Sequence, residues 1–314
     1  VQGNMWAFDL TSTNPSQWLV AETTRGSSTT RNWPLFESTS DQPITSKPLV
    51  LTHPTVKKTA DNTPNYMIYF GTGSLVATGD LATTDPQYYY GIWDRGRALS
   101  PANLAEQTVT LVGEARVLDP SLPVGYSSCS KTGGTTPGPV ITLTFGTTGP
   151  GAATPVAPSP SSGTDTCGWM IPLPSSGEKV VSDTAFRGDG MLWFSSIVPA
   201  DTRTCGAGVT SWKWAVQMGN GGSSLSAAFD FDGDGVVGSV GDMAHYTNAA
   251  TGFDGLAGVA AKQSEGGAAT APSFIGDRRF SCTTGGVGAC DDAVVPIKDG
   301  HKRLSWIELQ PKAD

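Results

Sequence analysis

The chain has 314 residues, of which 39 are glycine and 22 proline, while charged residues make up only 15%. That balance favours many turns over long exposed helices and points to an all-β fold. A net charge of -8, with basic residues gathered into nothing larger than short groups such as Lys57-Lys58, Arg278-Arg279 and Lys302-Arg303, argues against nucleic acid or an anionic membrane surface as partner.

In chain order, short runs rich in β-branched and aromatic residues predict strands at Asn4–Leu10, Pro48–Leu51, Tyr66–Phe70 and Tyr88–Trp93, each bounded by Gly, Pro, Asn or Asp. Pro101–Gln107 reads as a helical turn or two, and Thr108–Val112 as a further strand. Residues 127–166, dominated by Gly, Pro, Ser and Thr, read as a long insertion loop in which only Val140–Phe145 alternates like a strand. Strands follow at Met191–Phe194 and Ser211–Val216, a second helical turn is expected after Asp242, and Gly252–Ala271 reads as another surface loop. No stretch approaches the ~20 apolar residues of a membrane span. The start at Val1-Gln-Gly-Asn, with no Met and no signal core, predicts a trimmed piece of a longer exported chain. A loose recurrence of an aromatic pair followed by Gly or Asp, at Trp6-Ala-Phe-Asp, Tyr69-Phe-Gly-Thr-Gly and Tyr90-Gly-Ile-Trp-Asp, suits the blades of a propeller, with a β-sandwich as the alternative.

Five cysteines, Cys129, Cys167, Cys205, Cys282 and Cys290, lie among Gly, Ser and Thr, a setting that suggests an oxidising compartment outside the cytoplasm. Cys282 with Cys290 would staple a short loop, and Cys129 with Cys167 would bracket the irregular insertion. Cys205 is then left over, although sequence does not decide the connectivity.

The strongest chemical signal lies at residues 230–242. Asp230, Asp232 and Asp234 occupy the first, third and fifth positions of a loop whose sixth residue is Gly235 and whose seventh, Val236, can add a carbonyl oxygen. That is the front half of an EF-hand-type calcium loop. Its back half departs from the pattern, because position twelve is Gly241 and the next carboxylate, Asp242, comes one place late. The ligand set predicted for Ca2+ is therefore Asp230, Asp232, Asp234, Val236 and Asp242, with an affinity of about 10⁻⁴ to 10⁻³ M. The bland alternative is an acidic turn without an ion, in which three close carboxylates would repel one another.

Arg187-Gly188-Asp189 forms an integrin-type motif in a predicted turn, although Gly-Asp-Gly is also ordinary hairpin chemistry. His53, His245 and His301 are far apart and in no transition-metal frame. No nucleophile elbow accompanies them.

Gly3-Asn-Met-Trp-Ala-Phe-Asp-Leu10, Ile44-Thr-Ser-Lys-Pro48, Tyr69-Phe-Gly-Thr-Gly73, Gln87-Tyr-Tyr-Tyr-Gly-Ile-Trp-Asp94, Gly168-Trp169, Gly177-Glu-Lys-Val180 and Arg303-Leu-Ser-Trp-Ile-Glu-Leu309 follow one another in this order. The ordered set resembles the C-terminal domain of the PilY/PilC family of type IV pilus proteins. The resemblance implies a modified β-propeller over residues 1–314 as one domain, its completeness left open, with long loop insertions and little helix. It further implies export through the periplasm to the cell surface at the pilus tip, contact with pilus subunits (minor pilins) and with a host or abiotic surface, and a part in pilus extension and retraction, twitching motility and adhesion. The family's upstream Asp-rich calcium loop would precede Val1. No enzymatic activity is implied. The alternative is a quinoprotein-type propeller dehydrogenase, which also uses calcium but usually carries an adjacent cysteine pair that this chain does not have.

Overall fold

The computed structural model describes residues 3–20, 23–25, 28–30, 34–38, 41–58, 64–122, 124, 126, 129, 141–145, 166–199, 208–264, 267–275, 278–284 and 290–294. Cys205, His301 and the motif Arg303–Leu309 lie outside them. Among the described residues helix is confined to the 3₁₀ turns Pro15–Gln17, Thr78–Ala82, Pro101–Asn103 and Val240–Asp242, and no helix is long and apolar enough to cross a membrane.

Two sheets organise the molecule. The first has five strands in the order Ala105–Glu106, Gly168–Pro172, Tyr88–Asp94, Tyr66–Gly71, Leu49–Thr52. The second has six, in the order Thr110–Val112, Ala115–Val117, Ala261–Ser264, Thr210–Gln217, Met191–Val198, Ala185–Phe186. All pairings in both are antiparallel except Ala105–Glu106 with Gly168–Pro172. The long central strands carry the aromatic runs seen in the sequence, and their buried faces meet. Tyr89 stacks on Phe194 at 3.7 Å between ring centroids, Phe194 on Trp214 at 5.4 Å, and Tyr89 also faces Trp169 at 6.0 Å. All four side chains are buried, so this column of rings is the centre of the core, where each ring removes a large apolar area from water.

The Gly177–Val180 segment joins the two sheets. Lys179 exchanges both backbone hydrogen bonds with Ile197 of the six-stranded sheet, at 2.8 Å each, while the Val180 N–H donates to the Thr72 carbonyl beyond the end of Tyr66–Gly71 at 2.9 Å. The approach is so close that a Cβ on Gly71 would lie 2.3 Å from Val180 Cβ, and one on Gly73, whose φ is +131°, 2.5 Å from Lys179 Cβ. The glycines of the Phe-Gly-Thr-Gly motif are thus explained by the segment that packs against them.

One expectation is met in part and another needs correction. Pro101–Gln107 contains only the 3₁₀ turn Pro101–Asn103, and Ala105–Glu106 is instead the parallel edge strand; a hydrogen-bonding edge outweighs a weak local helix preference. Gly252–Ala271 is not a loop, since Phe253–Gly258 and Ala261–Ser264 are strands. Its small residues serve packing: Ala257, Ala260 and Ala261 are fully buried. Within the insertion, the expected strand is present as Ile141–Phe145, antiparallel to Met243–Asn248.

Candidate metal centre

The acidic loop leaves the six-stranded sheet after Thr210–Gln217 and re-enters regular structure at Met243–Asn248. Asp230, Asp232 and Asp234 bring one carboxylate oxygen each to within 4.8 Å of one another. The loop's own N–H groups shape this arrangement. Gly233 and Gly235 donate to the two oxygens of Asp230 at 2.7 and 3.0 Å, Asp234 donates to Asp232 at 3.1 Å, and Val236 donates to Asp234 at 2.7 Å. The Ser239 hydroxyl adds a bond to Asp232 at 3.0 Å. Gly235 has φ +84°, the left-handed conformation expected at the sixth position. Buried Val237 anchors the loop to the core, while Val236 stays exposed.

Asp242 takes another role. It is fully buried, and its oxygens accept N–H groups from both arms of the loop: Phe231 at 2.5 Å and Asp232 at 3.4 Å on Oδ1, Gly238 at 2.8 Å and Ser239 at 3.2 Å on Oδ2. Its carboxylate is therefore a clasp for the loop and does not join the cluster formed by the other three. Position twelve is glycine for a steric reason, because a Cβ on Gly241 would lie 2.0 Å from Asp232 Oδ2. From outside, Lys262 of the six-stranded sheet donates to the Asp230 carbonyl at 2.6 Å. Three clustered carboxylates are a donor set that suits a hard cation.

The other sequence candidates separate clearly. Arg187 and Asp189 pair with each other, Nη2 to Oδ2 at 2.8 Å, with side chains only 7% and 9% exposed. Asp189 also caps the Met191 N–H at 3.0 Å, and the Arg187 guanidinium lies over Phe274. The Arg-Gly-Asp tripeptide is thus occupied in folding the turn before Met191–Val198. Cys129 and Cys167 form a disulfide. Cys282 is also disulfide-bonded, and the residue opposite it in the strand ladder is Cys290. His245 meets Asp254 at 3.3 Å across the hairpin that follows the loop.

His53 was of no functional interest in the sequence, yet it is buried between Trp93 and Tyr126, at 4.9 and 4.2 Å between centroids. Its Nδ1 accepts the N–H groups of Thr55 and Val56, which puts the ring proton on Nε2. Burial, with Arg95 nearby, lowers its pKa from 6.5 to about 4. The unfolded chain takes up this proton near pH 6.5 and the folded chain only near pH 4. The stabilising contribution of the neutral ring is therefore complete above pH 6.5 and lost as the pH falls towards 4. Thermal melts across that window should show a smaller decline in Tm for His53→Asn, which keeps an acceptor but cannot titrate, than for the native chain.

Sequence reading also missed the Arg116–Glu178 pair, whose side chains are both 0% exposed and 2.6 Å apart. Arg116 stacks 3.6 Å over Trp212. Glu178 further accepts from Ser196 Oγ and from the Ser175 N–H, the latter at 3.1 Å. The only signal was the Gly-Glu-Lys-Val string, since the arginine lies 62 residues away.

The chain is similar to known proteins in sequence and in fold. The family described as the PilY1 beta-propeller domain matches residues 1–115. A type IV pilus biogenesis factor PilY1 homolog of Xylella fastidiosa is 26% identical over 234 residues, which is 72% of this chain and 13% of that protein. The crystal structure of the Pseudomonas aeruginosa PilY1 C-terminal domain covers 92% of this chain and 55% of its own, with a TM-score of 0.58 and 22% identity. The chain thus spans a small part of the curated relative and about half of the solved one. The small antiparallel sheets, the aromatic column and the near absence of helix are those of a modified β-propeller, and residues 1–115 match the PilY1 beta-propeller domain family.

Proposed function

We propose that this domain is a calcium-binding module of a type IV pilus-associated protein that acts in pilus extension, twitching motility and surface adhesion, and that it is not an enzyme. The observation that carries the calcium reading is the convergence of Asp230, Asp232 and Asp234 within 4.8 Å. Left without a cation, three such carboxylates repel one another. The Val236 carbonyl and water complete the ligand set, while Asp242 holds the loop closed behind them. The pilus reading, with minor pilins and a host or abiotic surface as partners and the cell surface as location, is supported by the kinship with PilY1-type factors.

Calcium acts here only through its preference for the ordered loop. The strand leaving the loop, Met243–Asn248, is the one to which Ile141–Phe145 of the insertion is paired. Ordering the loop fixes the start of that strand and hence the docking edge of the insertion. The test is a calcium titration followed by melting temperature. At a free concentration near 100 times Kd the native chain should gain about 2.7 kcal/mol, and Asp232→Ala combined with Asp234→Ala should gain nothing. An unchanged native Tm at millimolar calcium would refute the site.

A further inference from the structure

At the outer edge of the five-stranded sheet, where Leu49–Thr52 turns towards Tyr66–Gly71, lies a cavity of about 340 Å³. Its floor is built before any ligand arrives. His53 Nδ1 takes the Thr55 and Val56 N–H groups at 3.2 and 2.9 Å. The buried Asn65 amide donates to the Val56 carbonyl at 2.9 Å and accepts the Trp93 indole N–H at 2.8 Å. The turn is therefore locked to the aromatic core. His53 itself lines the cavity, and its Nε2–H is buried with no partner among the described residues.

The rim has a definite chemistry. On a chain of net charge -8, none of the described residues lining this cavity is acidic, and two are the exposed Lys57 and Lys58. Neither lysine has an ion-pair partner among the described residues. Tyr66 stands 44% exposed beside them, and the Thr55 hydroxyl adds a polar group. Exposed aromatic surface, hydroxyl and amide groups and paired cations in one preformed concavity suit a ligand with an apolar ring face, several hydroxyls and a carboxylate.

We propose that this cavity is a binding site for carboxylate-bearing sugars, with Lys57 and Lys58 meeting the carboxylate and Tyr66 the ring face. The site is separate from the acidic loop and does not depend on calcium occupancy there. A rigid floor lowers the ordering cost of binding, which concentrates specificity in the three rim residues.

The test is calorimetric titration of the whole chain with sialyllactose and with a glucuronate-containing disaccharide, with lactose and inorganic sulfate as controls. Saturable binding of at least one acidic sugar is expected, tenfold or more tighter than lactose. Lys57→Glu with Lys58→Glu should weaken it at least tenfold, and Tyr66→Ala several-fold. Because all three residues are exposed, the variants should keep the native Tm, and a matched melt checks this. The proposal is overturned if neither acidic sugar binds, if the rim variants bind as the native chain does, or if sulfate binds as tightly as the sugars, which would reduce the cavity to a simple anion site.

Discussion

Glu178→Ala is expected to lose about 3–5 kcal/mol of unfolding free energy, because it leaves Arg116 charged and unpaired in the core. Burial lowers the Arg116 pKa, and Glu178 opposes that shift. With the carboxylate gone, the guanidinium keeps only the Ser175 hydroxyl at 2.8 Å and the rings of Trp212 and Trp214. Ser196 loses its acceptor too, and Ser196 is the group to which the Trp214 indole donates. Glu178→Gln keeps the volume and removes the charge, so it separates the electrostatic share from the packing share. Urea unfolding of native, Glu178→Ala, Glu178→Gln, Arg116→Leu and the Arg116→Leu/Glu178→Leu pair measures it. The double variant should cost clearly less than the sum of its singles, as an apolar pair does in place of a buried ion pair. A loss below about 1 kcal/mol for Glu178→Ala would show that the junction does not depend on this pair.

The second large effect belongs to the covalent link. Cys129 and Cys167 are separated by 38 positions, and in the chain-entropy picture closing a loop of that size is worth about 4 kcal/mol. Both residues are buried, Cys167 held by backbone hydrogen bonds and Cys129 by the Arg97 guanidinium. The Cys167 N–H donates to Asn103, its carbonyl accepts from Trp93, and the Cys129 carbonyl accepts from Arg97. Cys129→Ser with Cys167→Ser should lower unfolding free energy by that amount in urea. Reductant, which also opens the bond at Cys282, should lower the native protein by about that much more than it lowers the variant, so that the two converge when both are reduced. A native protein insensitive to reductant under unfolding conditions would count against the assignment.

The strands of the two large sheets were legible because each is a run of β-branched and aromatic residues ended by turn formers. Tyr66–Gly71, Tyr88–Asp94, Met191–Val198 and Thr210–Gln217 fall where those runs fall. Phe253–Ser264 was not legible, because its glycines and alanines mimic a flexible loop while serving tight packing. The acidic triad could be read from spacing alone, since Asp230, Asp232 and Asp234 are local in sequence. The clasp role of Asp242 could not, because it depends on N–H groups converging from both arms of the loop. The Arg116–Glu178 and Arg187–Asp189 pairs show the same division: whether a charge is exposed or buried is decided by distant neighbours that no short string contains.

The four residues Gly177–Val180 are hydrogen-bonded into the six-stranded sheet through Lys179 and to the end of the five-stranded sheet through Val180, and Glu178 between them grips the core from Arg116 to Ser196. Neither sheet can open without tearing this segment from the other. The two sheets are therefore expected to behave as one cooperative unit, with slow amide exchange in Tyr88–Asp94 and in Met191–Val198 showing the same opening free energy.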